Sequence, residues 1–364
     1  MKRDWTGAAE AAPLPRVAYM IVVFTGGTGG SKLVQGLQQV VAPDELTVIV
    51  NTGDDLEWWG LHVSPDIDSV LYGLADLLSK DRGWGVEDDS FRCLERMKQL
   101  GQPSWFSLGD LDLATHLTRT AMLRAGKTLA ESTAELAAKF GIRARVLPMS
   151  DDKISTMLDT SKGTLTFQEY FVRERHQVEV RAVRFDGAEQ ARPAPRVIES
   201  IESAEAIIFA PSNPVTSIGP ILAVPGIREA LRQTAAPIAA VSPIVGGAAV
   251  SGPAGELMKM MGWPSTIAGV AKAYEDFLDV LVADRADAQA ISSQQPAVRQ
   301  IAVGHQAGFR SPIPDPRSTI HDPRPTPLRV VCTNTIMCSA ADKCGLAEFV
   351  LNACAAPQGA KAWA

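Results

Sequence analysis

One stretch constrains this chain more than any other: an apolar strand that runs straight into four glycines, Met20-Ile-Val-Val-Phe-Thr-Gly-Gly-Thr-Gly-Gly-Ser-Lys32. Gly26, Gly27, Gly29 and Gly30, with Thr28 among them, let the backbone reach positive φ and approach a ligand that side chains would hold away. Leu33, Leu37 and Val40 then recur at helical spacing, which predicts a helix from Ser31 that aims its free N–H groups and positive dipole end at the loop. Lys32 adds a full charge. The stretch reads as a phosphate cradle. Neither G-x-x-x-x-G-K-[ST] nor G-x-G-x-x-G is met, since Lys32 stands where the latter needs its third glycine. A turn that only packs a helix tightly against its strand is the competing account.

The β-branched run from Glu45 to Val50 predicts a second buried strand, which completes a βαβ unit and is followed by Asn51-Thr-Gly-Asp-Asp55. In a parallel sheet both turns lie beyond the carboxyl ends of their strands, side by side. Asp54 and Asp55 beside a phosphate would repel it unless a cation intervenes, and Mg²⁺ on one or two carboxylates plus phosphate oxygens meets that need. A solvated turn would use the same residues. Asp66 and Asp68 follow at the start of a predicted helix, where they fit either a metal or base role or plain complementing of the helix dipole.

Further along, Asp112, His116 and Arg119 fall at i, i+4 and i+7 and share one helical face, with Asp110 just before them; from spacing alone that face is a salt-bridged surface in slight preference to a pocket wall. Residues 82–91 read as a covering loop. A later strand, Ala206 to Ala210, ends in Pro211-Ser-Asn-Pro214, and another ends at Ser242. Ser212, Asn213 and Ser242 thus join the ligand-facing loops.

A chain of 364 residues, 46% of them hydrophobic, can bury a large core. Its net charge of −6 and the lack of a basic stripe argue against nucleic-acid binding. The apolar run at residues 17–24 is far short of the roughly 20 residues that span a bilayer, so no membrane partner is expected. Five cysteines without a C-x-x-C pair suit a reducing, cytoplasmic setting and no zinc site. The expected organisation is a disordered leader (1–19, with Met20 the expected true start), a nucleotide-binding α/β core (20–160), inserted strands (161–200), the core's second part (201–284), a flexible insertion (285–327) and a closing strand and helix (328–364). The fold class is α/β: a Rossmann-like, mostly parallel sheet flanked by helices, with a smaller inserted α+β subdomain.

An ordered set of motifs resembles the 2-phospho-L-lactate transferase family, which acts late in making the deazaflavin coenzyme F-420. The set comprises Gly26-Gly-Thr-Gly-Gly30, Asn51-Thr-Gly-Asp-Asp55, Ser64-Pro-Asp-Ile-Asp68, Leu108-Gly-Asp-Leu-Asp112 with Ala114-Thr-His116, Leu147-Pro-Met-Ser-Asp151, Phe167-Gln168, Pro211-Ser-Asn-Pro214 with Ser217-Ile-Gly-Pro220, and Val241-Ser-Pro-Ile244. The match runs from Met20 to about Asp284. The leader and the 285–327 segment depart from the family pattern and bear on the contacts of the expected homodimer or on regulation more than on the chemistry. The resemblance implies transfer of a phospholactyl, phosphoenolpyruvyl or phosphoglyceryl group from a guanosine diphosphate conjugate to the ribityl hydroxyl of 7,8-didemethyl-8-hydroxy-5-deazariboflavin, with release of GMP. On that reading Lys32 and the glycine loop hold the diphosphate, Asp54, Asp66 or Asp68 hold Mg²⁺, and Asp68 by preference orients or deprotonates the acceptor. Trp105, Phe106, Met149 and Phe167 would wall the deazaflavin slot with Ser107 near the ribityl chain. Ser212, Asn213 and Ser242 would face the nucleotide, and His116 and Arg119 the transferred group. An NAD(P)-binding oxidoreductase and a non-catalytic nucleotide-binding regulator are the rival classes.

Overall fold

The computed structural model describes residues 20–289 and 328–355. The leader and nearly all of the expected 285–327 insertion lie outside the described residues. In chain order the strands are β1 (Ile21–Thr25), β2 (Leu46–Val50), a hairpin of β3 (Leu56–Trp58) and β4 (Leu61–Val63), β5 (Arg145–Pro148), an antiparallel trio of β6 (Ser155–Thr160), β7 (Gly163–Thr166) and β8 (Val180–Asp186), then β9 (Ala206–Phe209), β10 (Ile238–Val241), a ribbon of β11 (Ile244–Val245) and β12 (Ala248–Ala249), β13 (Val280–Asp284) and β14 (Arg329–Thr333). Seven of them pair in parallel in the order β14-β13-β10-β9-β1-β2-β5. This is the expected Rossmann-like sheet.

Every residue of β1, β2, β9, β10 and β13 is buried, as a parallel sheet covered on both faces requires. Alternation sorts them between two cores. Val22, Phe24, Ile49, Ile207 and Phe209 point to one face, and Ile21, Val23, Val48, Val50 and Ile208 to the other. Phe24 and Phe209 are direct partners across β1 and β9 and stack with centroids 4.8 Å apart, which locks the two central strands in register.

That pair of strands matters for function. From β1 the chain winds to β2 and β5 on one side, while β9 leads to β10, β13 and β14 on the other. The connections leaving β1 and β9 therefore part from each other and leave a crevice beyond their carboxyl ends, the place where open α/β sheets bind ligands. The antiparallel trio β7-β6-β8 forms the inserted layer. It starts at Ser155, earlier than the expected 161, because β6 pairs only with β7 and β8.

The helices that frame the crevice are α1 (Gly27–Val40) and α2 (Pro65–Leu74), with α3 (Arg92–Gln99), α4 (Asp110–Arg124) and α5 (Leu129–Lys139) beyond them. Helix α1 starts four residues before the expected Ser31, so three of the four glycines belong to its first turn. A closing helix, Ala340–Ala355, lies along α1. Their approach depends on Gly36: a Cβ there would stand 2.1 Å from the Lys343 carbonyl oxygen. Gly36→Ala is therefore expected to cost about 1–3 kcal/mol through overpacking, outweighing the roughly 1 kcal/mol that alanine gains over glycine in a helix. A urea titration should give a lower midpoint than for the native chain; an unchanged or higher one would show that the closing helix does not pack this way.

Candidate active site

Three chain segments are stitched together at the crevice. Ser212, just after β9, accepts the Gly26 N–H at 3.3 Å and donates its hydroxyl to the Gly26 carbonyl at 2.9 Å. Asn51, just after β2, donates to Asp66 Oδ2 at 2.9 Å, while its own Oδ1 receives the Gly53 N–H at 2.8 Å. Asp66, in the first turn of α2, also accepts the Gly27 N–H. The glycines make this closeness possible. A Cβ on Gly26 would fall 2.7 Å from Asp66 Oδ2, one on Gly29 2.8 Å from the Pro211 carbonyl, and one on Gly30 1.7 Å from Thr25 Oγ1. Of the four, only Gly27 has a positive φ. Close packing and an open helix N-terminus are thus two aspects of one loop.

Asp54 and Asp66 stand beside this loop, both buried. Burial, and then the charges of Asp66 and Asp55, raise the Asp54 carboxyl well above the ordinary range. Burial likewise pushes Asp66 up to about 7, against hydrogen bonds from Asn51 and Gly27 that favour the charged form. Asp54 Oδ1 is buried with no hydrogen-bond partner, and among the described residues neither carboxylate meets a cationic side chain. Among the described residues, no group of three or more His, Cys, Asp or Glu side chains is arranged to hold a metal. The set Asp54, Asp66 and Asp68 therefore does not form a three-carboxylate cage.

Asp68 is turned elsewhere. Its Oδ2 accepts from Arg119 Nη1 at 3.1 Å and its Oδ1 meets Nη2 of the same guanidinium, which has no exposed surface. His116 Nδ1 lies 3.6 Å from Asp68 Oδ2, and His116 Nε2 lies 3.2 Å from Asp112 Oδ1, close enough for charge but off line for a hydrogen bond. Tyr72 closes the chain by donating to Asp112 at 2.7 Å. The Asp112-His116-Arg119 face, expected at the surface, is buried, and it is Leu111 and Leu117 of α4 that face outward. The reason is Asp68: a carboxylate on buried α2 holds the polar face of α4 inward.

Other expected site residues are placed as follows. Asp110 caps α3, accepting from Ser90 Oγ and the N–H groups of Arg92 and Cys93. The Asn213 side chain accepts the Val215 N–H, and the Ser242 hydroxyl donates to the Ile244 carbonyl, so both close their own turns. Met149 has no exposed surface and belongs to the core, which removes it as a slot wall. Lys32 is half-buried beyond the first turn of α1, where its charge acts on Lys343 of the closing helix. Ser107 is half-buried beside Trp105 and Phe106, which pack edge-on against Trp58 of the β3–β4 hairpin. Phe167 stacks on Phe171 at 5.4 Å, and its neighbour Gln168 donates to the Asp54 carbonyl at 3.4 Å. The inserted layer thereby reaches the crevice; Arg173 also lies over the Trp105 ring.

Sequence reading missed one group. Ser64 donates to Asp55 Oδ2 at 2.6 Å, and His62 Nε2 stands 3.1 Å from the same oxygen. The signal that could have found it is the two-residue turn Trp59-Gly60, both at positive φ, which sends β4 back along β3.

A glycine turn, a helix N-terminus and two carboxylates thus meet at the switch point of a parallel α/β sheet. The fold alone is shared with a UPF0052 family protein from Bacillus halodurans, 18% identical, with a TM-score of 0.56 over 92% of this chain and 98% of that one. The model of the family described as 2-phospho-L-lactate transferase CofD matches residues 21–308. Similar curated proteins include the 2-phospho-L-lactate transferase of Methanosarcina mazei, 46% identical over 267 residues that cover 73% of this chain and 88% of that protein. They also include the phosphoenolpyruvate transferase of Streptomyces griseus, 46% identical over 283 residues, 76% of this chain and 89% of that one. The chain belongs to the 2-phospho-L-lactate transferase CofD family, a family of transferases. Among the described residues no helix is long and apolar enough to cross a membrane.

Two measurements follow from this electrostatics. Asp68→Asn leaves Arg119 charged, buried and unpaired, which should cost about 3–5 kcal/mol; denaturation of the variant should show that loss, and a change under 1 kcal/mol would refute the pairing. Asp66 keeps in the folded chain a proton that the unfolded chain loses near its ordinary value of 3.8. Its contribution to stability is thus present below pH 4 and lost as pH rises from about 4 to about 7. Without divalent cations, Tm should decline over that window, and Asp66→Asn should flatten the decline.

Proposed function

We propose that this protein transfers a phosphate-linked three-carbon acid, phospholactyl, phosphoenolpyruvyl or phosphoglyceryl, from a guanosine diphosphate conjugate to the terminal ribityl hydroxyl of 7,8-didemethyl-8-hydroxy-5-deazariboflavin, in coenzyme F-420 biosynthesis. The observation that carries the reading is the convergence of the α1 N-terminus with the Asp54–Asp66 pair at the switch point, in a chain of this family.

The chemistry joins the hydroxyl oxygen to the phosphorus that bears the acid, breaks the phosphoanhydride bond, and releases GMP with the bonding electron pair. Such transfer depends on positioning and on neutralising charge. The free N–H groups at the start of α1 suit the diphosphate. The unpartnered Asp54 Oδ1 and its acidic neighbour Asp66 fit a hard divalent cation, which phosphate oxygens and water would complete. Mg²⁺ bound there would supply positive charge against the breaking diphosphate. Asp68 serves in this scheme by orienting α4 through Arg119. The aromatic residues Trp105, Phe106 and Phe167, on the two sides of the crevice, suit a flat tricyclic acceptor with few polar anchors.

Incubating the protein with Mg²⁺, the deazaflavin and each of the three donors, followed by mass spectrometry, should reveal one phosphoester product and GMP in equal amounts. Asp54→Asn and Asp66→Asn should each lower kcat/KM on the order of 10²–10³-fold. Full activity in either variant, or turnover indifferent to chelators, would overturn the assignment.

A further inference from the structure

Transfer to a hydroxyl needs a group to take its proton, and this inference rests on the transferase reading above. Asp54 and Asp66 are assigned to the cation, Asp68 is occupied by Arg119, and His116 is only 1% exposed. His62 is differently placed. On β4 its side chain lies on the face opposite Trp58, Leu61 and Val63, which are packed together. Its main-chain N–H donates to Thr120 Oγ1 of α4 at 2.8 Å, which fixes the strand beneath it. The side chain is 35% exposed, while the Asp55 carboxylate behind it is 12% exposed.

We propose that His62 is the general base of the transfer. Asp55 Oδ2, 3.1 Å from His62 Nε2, accepts the Nε2 proton, which leaves the lone pair on Nδ1. Among the described residues Nδ1 has no partner. Ser64 is buried and donates its hydroxyl to Asp55; it helps hold the carboxylate and is not a nucleophile. Asp55 follows Asp54 directly and its charge acts on Asp66, so the carboxylate that holds the imidazole adjoins the pair. In the step itself, Nδ1 takes the acceptor's proton as the oxygen–phosphorus bond forms and the phosphoanhydride breaks, GMP leaving with the electron pair; the imidazolium is held by Asp55 until it returns the proton to water. The other charged groups around the ring are Glu57, its partner across the hairpin, Arg119, whose charge reaches Asp55, and Arg124, bonded to the Gly60 carbonyl at the turn.

The test uses the full chain with Mg²⁺, the deazaflavin and whichever donor the native protein turns over. His62→Gln should lower kcat about 10²–10⁴-fold with KM for donor and acceptor nearly unchanged, and should abolish the acidic limb of the kcat–pH profile. Added imidazole should restore part of the turnover of His62→Ala. Native Tm in His62→Gln serves as the folding control. A kcat close to native, or a raised KM with kcat intact, would overturn the inference and leave the transferase reading standing; absence of turnover by the native protein with all three donors would remove both.

Discussion

Two buried neighbouring carboxylates that meet no cationic side chain among the described residues are the constraint on which the rest of this structure depends. Asp54 and Asp66 are each pushed toward the neutral form by burial, and Asp66 raises Asp54 further. A fold would not keep such a pair by its own energetics, because an unpaired buried charge is costly. What keeps it is the scaffold around it. Asn51 grips Asp66, the Gly27 N–H adds a second bond, and the parallel sheet brings β1, β2 and β9 to one crevice. It is this pair that supports the proposal of a cation and a diphosphate at the crevice.

The layout also separates this chain from the dinucleotide-binding enzymes whose strand order it extends. Those need an acidic residue at the end of the second strand for the ribose. Here Asn51 holds that place, and its side chain is spent on Asp66 and Gly53. Gly26, Gly29 and Gly30 likewise serve contacts between backbone, Asp66 and the Pro211 loop. The same loop sequence thus builds an open helix N-terminus and a wall for carboxylates.

Much of the fold was legible because buried parallel strands are unmistakable runs of β-branched residues between glycine and proline turns. β1, β2 and β9 lie where that pattern puts them, and β10 ends just before Ser242 as expected. Helix α1 begins earlier than periodicity predicts, because glycine lowers helix propensity whereas close packing against Thr25 and the Pro211 loop holds its first turn. Helix α4 was the more instructive error. Its Asp, His and Arg face reads as solvated, yet Asp68 pulls it inside and leaves Leu111 and Leu117 outward. Periodicity identifies faces; only a partner on another element decides which one is buried. The His62–Asp55 contact is hidden for the same reason, since the two residues lie on opposite sides of the β3–β4 turn and only the pairing of the hairpin brings them together.

The central claim is that the helix N-terminus and the carboxylate pair act together on one diphosphate. Calorimetric titration of GDP, with and without Mg²⁺, tests this most directly. The account predicts that Mg²⁺ strengthens GDP binding by tenfold or more, about 1.4 kcal/mol, and that Asp54→Asn combined with Asp66→Asn erases this gain while the sheet stays folded. GDP binding indifferent to Mg²⁺, or a gain that survives in the double variant, would contradict it.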